Sequence, residues 1–148
     1  MNVKALQQLY SLMCSIPDKE VNLNVFYMKY SDGSVCGCGL GYAALAGICD
    51  LYLEPEYHLP ALTADAQGLP AYKGMDAAAK AFGITRQEAI SLFTGFPRNA
   101  YAKGEKSFKQ IWLERMEKFA KDNCFSLQQE EPPVVADTHI RVPRKYIL

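Results

Sequence analysis

Three cysteines and four glycines crowd into VCGCGLGYAALAGICD, residues 35–50, among small apolar side chains. Sulfur so placed can act as a nucleophile, ligate a metal, or fill space between closely packed backbones. A nucleophile must be available as thiolate. Cys38 stands directly before a run that reads as a helix from 39 to 51, where the helix dipole and free amides lower a thiol's pKa. A base must then come within hydrogen-bond reach, and the chain supplies only His58 and His139. With Asp137 or Asn99 as the orienting group, Cys38 and one of these imidazoles would make a cysteine-dependent hydrolase or transferase.

Two other chemistries compete for the same sulfurs. Cys36, Cys38, Cys49 and His58 are four potential zinc ligands, but C-x-C is not the usual C-x₂₋₄-C hook. Cys38 and Cys49 would also lie roughly 16 Å apart along a helix. Neither a metal nor any other cofactor is expected. Packing needs less. Gly37, Gly39, Gly41, Ala43, Ala44, Ala46 and Gly47 leave little side-chain bulk, and free cysteines are among the most often buried residues. A helix glycine costs about 1 kcal/mol relative to alanine, so a close backbone approach is the expected compensation. The favoured expectation is contact between two backbone segments, with no reaction there.

A nucleic-acid reader is a further candidate. AAAKAFGITRQEAISLF, residues 77–93, resembles a helix-turn-helix pair with Gly83 in its turn. Arg86 and Gln87 would face bases, and Arg98, Lys103, Lys106 and Lys109 would meet phosphates. Against this, Ala89 is small for the anchor of a recognition helix, and Glu88 would face phosphate. The C-terminal stretch HIRVPRKYIL, residues 139–148, suggests a different use. It is basic and apolar-ended and reads as extended, and Arg141, Arg144, Lys145, Tyr146, Ile147 and Leu148 could add a strand to a partner's sheet edge.

The elements that must position these groups are legible in part. Residues 2–16 read as a helix capped by Asn2 and stopped by Pro17, and 23–30 as extended chain entering an Asp-Gly turn at 31–34. Residues 52–74 read as a loop with at most a short hairpin pairing 59–63 with 69–72. Helices follow at 75–82 and 86–93, the second opened by a Thr85–Glu88 capping box. The last helix sets Phe108, Ile111, Trp112, Arg115, Met116, Phe119 and Ala120 on one stripe. The expected fold is mainly α with a minor β element. About five helices form one compact domain over 1–127, followed by an extended arm over 128–148.

With 148 residues the chain can bury a genuine core. Sixteen basic residues balance sixteen acidic ones, so no net charge draws it to nucleic acid or to anionic membrane. No apolar run approaches the roughly 20 residues of a membrane span, the N-terminus lacks a leader pattern, and the five cysteines follow no disulfide framework. A cytoplasmic protein is expected, possible host cytoplasm included.

Cys38-Gly39-Leu40-Gly41-Tyr42-Ala43-Ala44 resembles the Cys-x-x-Gly-aromatic-Ala-Ala core of a loose group of small phage and prophage proteins. The extended aromatic stretch VFYMKY before it, and Phe82-Gly83-Ile84-Thr85 with Ala89 and Leu92-Phe93 after it, are similar to segments of that group. The resemblance implies a viral or mobile-element origin and no particular activity. The function expected is therefore a non-enzymatic accessory protein that binds a larger protein partner.

Overall fold

The most apolar of the described helices is the shortest route to the architecture. GLGYAALA carries no polar face, and a helix hydrophobic all round belongs inside. In the computed structural model, which describes residues 1–55, 58–63, 70–95 and 106–128, this helix is buried along almost its whole length. The other elements wrap it.

Helix α1 (Val3–Ser15) starts where Asn2 accepts a hydrogen bond from the Ala5 amide, and it buries Leu6, Leu9, Leu12 and Met13. A 3-10 turn (Asp18–Glu20) follows. Strands β1 (Tyr27–Lys29) and β2 (Val35–Gly37) form an antiparallel hairpin, with Met28 opposite Cys36. Its turn is set by Asp32, whose Oδ1 accepts from the Ser34 amide at 2.9 Å and hydroxyl at 2.6 Å. The central helix is α2 (Gly39–Ala46), and a second 3-10 turn covers Ile48–Asp50. Strands β3 (Tyr52–Leu53), β4 (Pro60–Thr63) and β5 (Pro70–Lys73) make an antiparallel sheet in that order. Helices α3 (Gly74–Phe82), α4 (Arg86–Phe93) and α5 (Phe108–Asp122) complete the described chain.

Helix α5 runs antiparallel to α1. Gln7 donates to the Ser126 carbonyl, Tyr10 to Glu117, and Lys109 to the carbonyls of Cys14 and Ile16. Its stripe delivers Ile111, Trp112, Met116 and Ala120 to the core, with Trp112 fully buried against Gly39. Helices α3 and α4 form a corner closed by Phe82 stacked on Phe93 at 5.6 Å. One continuous core links α1 through α5. The fold is mainly α with small antiparallel β elements, and none of its described helices is long and apolar enough to cross a membrane.

Several boundaries differ from the sequence pattern for local reasons. The second helix stops at Ala46 rather than 51, because Gly47 turns left-handed (φ 73°) and its amide caps the last carbonyls. Only 27–29 of the extended stretch is strand, since Asn22 accepts the Asn24 amide and turns the chain there. The short hairpin appears as 60–63 with 70–73, and β3 adds a third strand that the sequence pattern did not suggest. The expected arm lies outside the described residues from 129 onward.

Candidate functional site

The glycine run is explained by its neighbours. A Cβ on Gly41 would sit 1.7 Å from the Phe26 carbonyl oxygen, and one on Gly37 would sit 2.5 Å from the same atom. A Cβ on Gly39 would meet the Trp112 ring at 2.9 Å. The Phe26 backbone thus lies between β2 and α2, tied there by the Cys38 amide, which donates to the carbonyls of Val25 and Phe26. Side chains at these positions would push the segments apart.

Cys38 is the N-cap residue of α2 but is only 1% exposed. Burial pushes its thiol up to about 11, against a smaller lowering by the amides of Gly41, Leu40 and Cys38 itself. No described imidazole is among the groups acting on it. His58 packs edge-on against the Tyr27 ring at 5.4 Å. His139, Asp137 and Asn99 lie outside the described residues. Cys36 is buried, with the Tyr30 hydroxyl 3.5 Å from its sulfur, and Cys49 accepts from the Asn2 side-chain amide at 3.0 Å. Among the described residues, no three His, Cys, Asp or Glu side chains are grouped to hold a metal.

The helix corner does adopt a tight turn, with Gly83 left-handed at φ 65° and the Thr85–Glu88 capping box complete. The N-terminus covers that turn: Asn2 donates to the Phe82 carbonyl, and Met1 backbone lies 3.1 Å from where a Gly83 Cβ would be. Arg86 is held by Asp76 at 3.1 Å and Lys106 by Glu114 at 2.8 Å. Lys109 is occupied with the carbonyls at the end of α1. Gln87 is exposed and lines a cleft of about 440 Å³ between α4 and α5, shared with Glu88 and Asp122. Arg98 and Lys103 are outside the described residues, as are Arg141, Arg144, Lys145, Tyr146, Ile147 and Leu148.

One surface groove was not singled out by the sequence pattern. It has a volume of about 910 Å³ and runs between the Asp18–Glu20 turn, the hairpin and the start of α5. Val21, Val35, Cys36 and Phe108 are among its apolar lining, and Asp18, Lys19, Glu20, Asn22, Ser34 and Ser107 are among its polar members. Tyr42 reaches from the core to the Glu20 carbonyl and pins the turn to α2. On the hairpin beside it, Met28 and Tyr30 are 44% and 47% exposed and share one face, since side chains two apart on a strand point the same way. The Asp-Gly turn between apolar runs was the signal for this hairpin. The groove itself arises from residues far apart in sequence. No protein-family model matches the chain, and neither curated proteins nor solved structures yield a match.

Proposed function

We propose that the chain is a non-enzymatic docking protein, an accessory factor of phage or prophage type that binds a larger protein partner. The observation carrying this reading is the hairpin face. Met28 and Tyr30 stand exposed together beside an apolar-lined groove, and adjoining large hydrophobic side chains at a surface favour protein contact. The basic segment at 139–148 is a second contact in this reading, resting on its sequence alone.

The test uses the full chain as bait in extract of its native host. The Met28→Glu/Tyr30→Glu variant is expected to lose capture of the partner at least tenfold with an unchanged melting temperature. An Arg141→Glu/Arg144→Glu/Lys145→Glu variant measures the share of the C-terminal segment. Capture of the same protein in the same amount by the native chain and both variants would remove the docking reading.

A further inference from the structure

Strand β2 has two edges, and hydrogen-bond alternation tells which peptide groups face each. In an antiparallel pair, residues alternate between those bonded to the partner strand and those directed away from it. The Tyr30 amide donates to the Ser34 carbonyl at 2.8 Å, and the Cys38 amide to the Phe26 carbonyl at 3.2 Å. The register then makes Met28 and Cys36 a bonded pair. Val35 and Gly37 therefore direct both their N–H and their C=O away from β1. For Gly37 that direction is filled: the chain at Val21 bridges it in parallel, and the Asn22 amide donates to its carbonyl at 2.9 Å. Upstream of Val21 the chain curls into the Asp18–Glu20 turn and leaves the sheet. Val35 is left over the groove, with neither outward peptide group bonded among the described residues.

An open strand edge at the side of an apolar groove is the arrangement that accepts an extended peptide by strand addition. The charge around it selects the peptide. Asp18 and Glu20 line the groove against Lys19 alone, and Asp32 sits at the hairpin turn. None of these three carboxylates is in an ion pair among the described residues; those pairs are at Glu54, Asp76, Glu114 and Asp122. We infer that β2, at Val35, takes up an extended segment of the partner in which basic and aliphatic residues alternate. Its backbone pairs with Val35, its aliphatic side chains rest on Val21, Val35 and Phe108, and its cations meet Asp18 and Glu20. This deepens the docking reading and rests on it.

Amide hydrogen exchange of the full chain, read residue by residue by NMR, tests the inference. The probe is the capped peptide Lys-Val-Lys-Val-Lys-Val, with Glu-Val-Glu-Val-Glu-Val as its control. In the free protein the Val35 amide is expected to exchange at least tenfold faster than that of Cys36, which is bonded to Met28. Millimolar Lys-Val peptide should slow Val35 at least tenfold and the Glu-Val peptide should not. Val35→Pro removes the outward N–H without removing a bond to β1, and should weaken peptide binding at least tenfold. A Val35 amide already protected in the free protein would overturn the inference, because the chain itself or a second copy would then fill the edge. Equal slowing by both peptides, or by neither, would overturn it too. Any of these results beside continued partner capture through the hairpin face removes strand addition alone. Loss of the docking reading is decided separately, by the capture experiment.

Discussion

At Cys38 two effects of opposite sign act on one sulfur. Its place before α2 offers the amides that stabilise a thiolate, and its burial removes the water that would do so better. Burial prevails, and the thiol stands near 11 against its ordinary 9.0. At neutral pH about one molecule in ten thousand is then ionised. A small alkylating reagent at pH 7 should label exposed Cys14 and Cys124 at least about a hundredfold faster than Cys38, and denaturant should erase the difference, as peptide mass mapping will show. The same shift ties stability to pH. The folded chain keeps a proton that the unfolded chain releases, so this contribution is complete below pH 9 and is lost as pH rises through about 11. Its upper size is about 2–3 kcal/mol. Urea unfolding at pH 8 and pH 11 should show the native chain losing more stability than Cys38→Ala. Burial also raises Tyr10 and Tyr42, in the same direction; the Tyr10 effect cancels in the comparison, and the Tyr42 effect does so apart from the small part owed to the Cys38 charge.

The glycines belong to the scale of elements, where they set how closely α2 approaches the chain before β1. Gly41→Ala would drive a methyl group into a backbone oxygen that cannot rotate away. The expected loss is at or above about 3 kcal/mol by chemical denaturation, whereas Thr85→Ala, which removes a cap, should cost about 1 kcal/mol. A Gly41→Ala protein with native stability would mean that α2 and Phe26 are not in contact. That some second backbone lay against this run was legible from its composition, because seven glycines and alanines among the eleven residues 37–47 have few other uses. Its identity was not, because Phe26 and Gly41 are joined by tertiary geometry that no local pattern encodes. Caps and stripes were legible for the opposite reason: Asn2, Thr85 and the Trp112 face act within one or two turns of their own helix. The helix end at left-handed Gly47, inside an unbroken apolar run, and a two-residue strand such as β3 carry too little local signal to be read, whereas Gly83 ends its helix at 82 as expected. The groove draws its walls from 18–22, 30–36 and 107–108, so it existed only once the fold was known.

Across the whole molecule, charge is balanced in number, and among the described residues part of it is consumed in place. The sixteen cations face sixteen anions, and several of the cations once suggestive of a phosphate-binding surface already serve the fold. Arg86 answers Asp76, Lys106 answers Glu114, and Lys109 closes the last carbonyls of α1 much as a helix cap does. A protein gains DNA affinity by releasing counterions from phosphates, and a lysine committed to a carbonyl or carboxylate must first break that bond. The Lys109 contacts therefore make opposite predictions for the two roles. As a structural cation, Lys109→Met should lower unfolding free energy by about 1.5–3 kcal/mol, the range for a hydrogen bond to a charged group. It should leave behaviour on a duplex DNA column unchanged, with native chain and variant both passing through at low salt. Retention of the native chain that falls steeply with salt, and that Lys109→Met weakens without loss of stability, would return this lysine to a nucleic-acid surface.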